Sequence, residues 1–288
     1  MPTQSAESCV VDGLGVPFER RGHGPALVLV HGLLGYSFSW RHVLEPFSKE
    51  RTVFAMDMPG SGFSECLATT DAHVSAAAQR LLKFLDAMGI SACDLVGSSY
   101  GGTTSLFLAA THPERVRTLT LVSPANPWSR IGRKRLALLG LPLVGVLFPP
   151  FSRHIPALHR LSIRRMYGDQ QRLSAETLRG YSLPLARTGV FEHAVRIARN
   201  WHSDMAELQH VLPGAAEIPT LIIWGSKDRL VELSSAQVLN RQLGKSRVAI
   251  MNGAGHLPYE ECPEEFVALV NEFLIAHSPV PSARREVT

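Results

Sequence analysis

Six short apolar runs, each ended by a loop of Gly, Pro, Asp or Ser, constrain the fold of this chain more than any other feature. They are Ala26–Val30, Val53–Met56, Asp94–Val96, Thr118–Val122, Thr220–Trp224 and Arg247–Met251. Their β-branched content and unbroken hydrophobicity predict strands covered on both faces, as in a parallel sheet. Segments of helical period lie between them. Ala72–Met88 spaces Ala76, Leu81, Leu85 and Met88 along a helix and stops at Gly89. Pro263–Ala276 opens on Pro and Glu and carries Phe266, Leu269, Val270 and Phe273 on one stripe. Strands alternating with helices predict an α/β sheet with right-handed crossovers. The opening residues read as a β-hairpin turning at Gly22–Pro25.

The alternation stops after Ser123 and resumes at Ile218. The intervening stretch is helix-like, Leu-rich and Arg-rich, which predicts a core of residues 1–124 and 218–277 interrupted by a helical insertion, 125–217. Residues 278–288 are polar and Pro-bearing, a tail expected to fray. Charge follows the same division. The 288 residues carry a formal charge of +4, yet from Ser129 to Glu217 there are 12 Arg and 1 Lys against 4 Glu and 2 Asp. All the excess positive charge therefore sits in the insertion. Those arginines are scattered among apolar residues beside no nucleic-acid signature, so nucleic acid is not an expected partner.

With 45% hydrophobic and 19% charged residues the chain is neither disordered nor fibrous. Its length suits about two units, or one α/β domain carrying an insertion. Cys9, Cys66, Cys93 and Cys262 form no CxxC pair, and MPTQSAESCVV has neither a basic nor an apolar leader region. A reducing, cytoplasmic location is expected. The longest greasy stretch, Leu136–Phe148, is 13 residues broken by Gly140, Pro142 and Gly145. A membrane-spanning helix needs about 20.

One pentapeptide carries chemistry. Gly97-Ser98-Ser99-Tyr100-Gly101 follows the apolar strand Asp94–Val96 and precedes the helix-like Thr103–Thr111. A sharp strand-to-helix turn strains its central residue and needs glycine on both sides, because side chains at 97 and 101 would collide with the turn. Ser99 Oγ would then stand clear of the sheet edge. Here the chain resembles the α/β-hydrolase family, in its serine-nucleophile, esterase-like branch with a helical cap. Four further segments fit the family's order. Gly225-Ser226-Lys227-Asp228 resembles its acid turn, and Asn252-Gly253-Ala254-Gly255-His256 its histidine loop, followed by an H-x-P-x-x-E-x-P-x-x-F tail from His256 to Phe266. Asp57 to Ser64 matches D-x-P-G-x-G-x-S, and His31-Gly32-Leu33-Leu34-Gly35 lies where the oxyanion loop belongs. The resemblance implies a mostly parallel eight-stranded sheet with helices on both faces and a lid inserted after the sixth strand.

The residue types suit acyl transfer. A serine hydroxyl is a poor nucleophile without a base, His256 is the candidate base, and Asp228 would fix its tautomer. The alternative acid site in the family reads Ser123-Pro124-Ala125-Asn126 here, with no carboxylate. By resemblance, the backbone N–H groups of Leu33 and Tyr100 form the oxyanion hole. His31, Asp57 and Ser64 read as loop braces and Trp40 as core. The other histidines, among them His154, His159, His193, His202 and His210, form no metal motif, and no nucleotide loop occurs, so neither metal nor cofactor is expected. Serine at 99, where the family's dehalogenases and epoxide hydrolases carry aspartate, points to a small-molecule ester, lactone or thioester substrate. Two rivals stand beside it: C–C bond hydrolysis of a diketone with the same triad, and a hydrolase-like small-molecule receptor. In the insertion, Leu136, Leu139, Leu143 and Leu147 are candidates to line an acyl pocket. A lid surface touching membrane, next to Lys134 and the arginines, is the minor reading.

Overall fold

The computed structural model describes residues 7–129, 141, 152 and 154–277. One sheet contains β1 (Glu7–Val11), β2 (Leu14–Arg21), β3 (Ala26–Val30), β4 (Thr52–Met56), β5 (Cys93–Ser98), β6 (Val116–Val122), β7 (Thr220–Gly225) and β8 (Ser246–Met251). Its spatial order is β1-β2-β4-β3-β5-β6-β7-β8. β2 runs antiparallel to β1 and β4, and all other neighbours are parallel. The helices of the sheet layers are α1 (Leu44–Ser48), α2 (Val74–Ala87) and α3 (Tyr100–Thr111). Among the described residues of the insertion, three α-helices follow β6: α4 (Pro156–Met166), α5 (Ala175–Leu185) and α6 (Val190–Val211). After β7 come α7 (Ser234–Gln242), α8 (Pro258–Glu261) and α9 (Pro263–His277).

The apolar runs show no alternation because both faces of the sheet are covered. In β3, Leu27 and Leu29 join one buried cluster while Val28 and Val30 join the other, and β4 divides Val53 and Ala55 from Phe54 and Met56 in the same way. Leu81 and Phe84 of α2 and Leu106 and Leu108 of α3 pack on the Val28 side. Phe47 of α1 and Phe266, Val270 and Phe273 of α9 pack on the other.

The expected hairpin exists, but its turn is not at Gly22–Pro25. Asp12 and Gly13, at φ 55° and 75°, close β1 onto β2. An Asp-Gly pair with both residues left-handed suits the twist of a two-residue hairpin. Gly22–Pro25 instead leads from β2 to β3, which are separated by β4.

The sheet's connectivity also creates the site. From β3 the chain steps to β4 on one side and returns to β5 on the other, so Val30 lies opposite Gly97. Crevices open at the carboxyl ends of strands where the order reverses in this way. The insertion sits over this end. The Tyr36 hydroxyl donates to Gly180 O at 2.9 Å, and Arg187 donates to Gly62 O and Ser64 O at 2.6 and 3.0 Å. The N–H of Val74 donates to Asp204 of α6 at 3.1 Å. Leu136, Leu139, Leu143 and Leu147 lie outside the described residues. Among the described residues no helix is long and apolar enough to cross a membrane.

At the opposite end of β5 the sheet buries a charge. Asp94 is fully buried, bonded to Arg51 at 2.5 Å, Arg117 at 3.0 Å and the Thr118 hydroxyl at 2.9 Å. Desolvation offsets much of what such a group gains, but removing one member leaves the others uncompensated. Asp94→Ala is expected to cost about 3–5 kcal/mol of unfolding free energy, read from urea denaturation.

Candidate active site

Ser99 sits where β5 turns sharply into α3, at φ 52° and ψ −118°. A non-glycine residue in this region is strained and persists only where its surroundings hold it. Here they do. Its N–H donates to Val122 O at 2.9 Å, and the flanking glycines remove the clashes a turn this tight would otherwise create. A Cβ at Gly97 would lie 2.5 Å from Ser105 Oγ, and one at Gly101 would lie 2.3 Å from the carbonyl oxygens of both Val30 and His31. The spacing of the pentapeptide is thus imposed by the neighbouring strand as well as by the turn itself.

His256 and Asp228 are brought together from the ends of β8 and β7. Asp228 Oδ1 accepts the N–H groups of Leu230 and Val231 at 2.8 and 3.1 Å, which leaves Oδ2 to meet His256 Nδ1 at 2.8 Å. Burial alone would push the Asp228 carboxyl up. The charge and hydrogen bond of His256 and the two backbone donors outweigh it and hold the carboxyl below its ordinary value. With Nδ1 on Asp228, the imidazole keeps Nε2 for another partner. No carboxylate competes from the end of β6, where the chain reads Ser123-Pro124-Ala125-Asn126.

The histidine loop is fixed from the insertion. His256 N–H donates to Met166 O at 2.6 Å. Glu261 accepts from Gly255 N–H at 2.6 Å and also from the N–H groups of Gly168 and Asp169 at 2.9 and 3.0 Å. Next to it, buried Glu260 takes both ends of the Arg41 guanidinium at 2.5 and 2.7 Å and the hydroxyls of Tyr181 and Tyr167 at 2.7 and 3.2 Å. The H-x-P-x-x-E tail is therefore a bracket between histidine loop and insertion.

Leu33 and Tyr100 line the same cavity as Ser99 and His256. Tyr100 is the first residue of α3, so its N–H has no acceptor within the helix. His31 takes no place in the cavity wall. Its Nδ1 donates to Gly32 O at 2.8 Å and its Nε2 accepts Met58 N–H at 2.9 Å. Burial, opposed by Asp57 and the Gly32 carbonyl, lowers its pKa, which matches a neutral ring bracing the loop. Asp57 likewise accepts Ser37 and Phe63 N–H at 2.8 Å each, and the Ser64 hydroxyl donates to its carbonyl. Trp40 is fully buried against Tyr259, with ring centroids 4.3 Å apart.

The cavity encloses about 290 Å³. Besides Ser99 and His256 its described walls are mainly apolar, with Leu34 beside Leu33, Leu230 and Val231 after Asp228, and Ile163, Leu185, Ile197 and Trp201 from the insertion. Among the described residues no Lys or Arg lines it. Sequence reasoning placed a pocket in the insertion but not these residues. Ile163, Ile197 and Trp201 have the helical period of an ordinary core face, and only docking shows which part of that face meets the cavity.

Strained serine, paired histidine and shared cavity together form a set of groups suited to acyl transfer. A profile of the α/β-hydrolase fold matches residues 25–263, and the chain belongs to that family. It is 28% identical to the 2-hydroxymuconate semialdehyde hydrolase of Pseudomonas sp. (strain CF600), over 92% of both chains. It is 25% identical to the pimeloyl-[acyl-carrier protein] methyl ester esterase of Aeromonas hydrophila, over 91% of this chain and all of the other. A bacterial membrane phospholipase A of known structure superposes with a TM-score of 0.78 at 27% identity, covering 96% of this chain and 87% of that one.

Two predictions test the geometry. Glu261→Ala strands three backbone donors at about 1–3 kcal/mol each, so the melting temperature should fall and kcat should drop more than KM rises. Asp228 contributes stability above the ordinary carboxylate range, and that contribution disappears as pH falls through its lowered value. The stability difference between the native chain and Asp228→Asn should therefore shrink below about pH 4, measured by urea unfolding across pH.

Proposed function

We propose that this chain is a serine hydrolase that cleaves carboxylic esters of small to medium apolar acids. The observation that carries this reading is a serine in a strained strand–helix turn sharing a mainly apolar cavity with a histidine held by a buried carboxylate. Ser99 Oγ attacks the ester carbonyl while His256 Nε2 takes its proton. The developing oxyanion is met by the N–H groups of Tyr100 and Leu33. Asp228 keeps the imidazole in the required tautomer and stabilises its charged form. His256 returns the proton to the departing alcohol, leaving an acyl-enzyme on Ser99. A water that loses its proton to His256 then releases the acid. The helices α4 to α6 act as a cap that supplies apolar binding and limits access of water.

The relative that acts on 2-hydroxymuconate semialdehyde favours a second reading, C–C bond hydrolysis on the same residues. The esterase and phospholipase relatives point the other way.

A fluorophosphonate probe should label Ser99, and Ser99→Ala should lose both labelling and turnover of p-nitrophenyl esters. Asp228→Asn should stay folded and lose up to about 10⁴ in kcat. Undiminished labelling of the alanine variant would sink the assignment of the nucleophile. Faster consumption of 2-hydroxymuconate semialdehyde than of any ester would move the reading to C–C cleavage.

A further inference from the structure

The cavity holds polar groups that the acyl-transfer chemistry does not use. Most are already engaged. The Tyr259 hydroxyl donates to Ser98 Oγ at 3.2 Å, and Tyr181 donates to Glu260. Ser129 Oγ accepts Asn126 N–H at 3.3 Å and lies 3.5 Å from Ser235 Oγ. Two on α4 are different. His159 is buried, lines the cavity and packs its ring on Phe191, centroids 5.6 Å apart. Its Nε2 donates to Ser152 O at 2.7 Å, which orients the ring and, in the neutral imidazole, makes Nδ1 an acceptor. Nδ1 has no protein partner among the described residues. Ser162, three residues further along the helix, lines the open rim of the cavity as an exposed residue, and its Oγ has no protein partner among the described residues. Side chains at this spacing lie on one face, about 5–6 Å apart at Cβ.

An oriented acceptor beside a hydroxyl that both donates and accepts is complementary to one chemical group above others. We propose that His159 and Ser162 form a polar anchor for a hydroxyl on the acyl part of the substrate, remote from the scissile bond, so that the preferred esters are those of hydroxylated acids. The substrate hydroxyl donates to His159 Nδ1 and accepts from Ser162 Oγ, while the apolar wall holds the intervening chain. This rests on the ester-hydrolase reading and narrows its substrate class. A buried acceptor that hydrogen-bonds a substrate hydroxyl disfavours the analogue lacking it, because His159 Nδ1 is then left without a partner, while exposed Ser162 stays hydrated.

The test compares p-nitrophenyl esters of alkanoic acids with those of the same acids hydroxylated at successive carbons, omitting any that cyclise unaided. At the best position the native chain should favour the hydroxy ester in kcat/KM by about ten- to a hundredfold. His159→Leu should remove that preference, read as the ratio of hydroxy-ester to alkyl-ester kcat/KM, which cancels any general loss of activity. Ser162→Ala should reduce it several-fold. His159→Gln, whose amide offers a donor to Ser152 O and an acceptor to the substrate, should restore part of it. Calorimetry of the hydroxylated and plain acid products on Ser99→Ala protein reads the same contrast without turnover, so failure of the ester reading is distinguishable from failure of the anchor. No preference at any position in the native chain, or a preference that survives both substitutions, overturns the proposal.

Discussion

The strain at Ser99 is the constraint on which the rest of the site depends. A serine at φ 52° is costly, and this fold meets the cost by packing three strands around the turn. The end of β6 holds the Ser99 N–H, the end of β3 comes so close that Gly101 admits no side chain, and β5 delivers the residue from a fully buried position. None of these supports is local. The turn exists because the strand order reverses around β3 and places those carboxyl ends together.

The histidine side of the site is assembled differently. Its loop is held by hydrogen bonds to the end of α4 and the residues just after it, through Met166 O and the carboxylate of Glu261. Glu260 carries the link on to Arg41, Tyr167 and Tyr181. The insertion therefore does two things at once. It walls the cavity with Ile163, Leu185, Ile197 and Trp201, and it fixes the backbone that presents His256. In this arrangement, sequence changes in α4 to α6 that retune the cavity are constrained by the need to keep the bracket in register.

Much of the fold was legible because buried parallel strands and the helices between them have distinct periods. The six apolar runs correspond to β3 through β8, and Ala72–Met88 and Pro263–Ala276 to α2 and α9. The hairpin was legible as a hairpin but not at its turn, since Asp12-Gly13 competed with the more conspicuous Gly22–Pro25. The tighter, left-handed pair won because it matches the strand twist. Ser99 was legible from its strand–turn–helix context with flanking glycines, and Asp228 and His256 because the loops that carry them resemble the family's acid turn and histidine loop. His159 was visible only as one of several scattered histidines, because nothing in its local sequence separates a cavity wall from an ordinary helix face.

The sequence by itself determined where the buried strands and the helices between them lie and that a strand–helix turn at Ser99 needs glycine on both sides, because these follow from short-range periodicity and turn sterics, while the pairing of His256 with Asp228 was expected from the family resemblance. Only the tertiary structure decided what surrounds them. Glu260 and Glu261 are an acidic pair in the chain, and they become a buried bracket because α8 meets the middle of the insertion at Gly168 and Tyr181. Likewise, His159 and Ser162 are neighbours on any α-helix. They become a candidate recognition pair because docking of α4 places both on the wall of the cavity that Ser99 lines, His159 buried and Ser162 at its exposed rim. Spacing along a helix fixes which side chains share a face, whereas what that face meets is set by contacts between segments far apart in the chain.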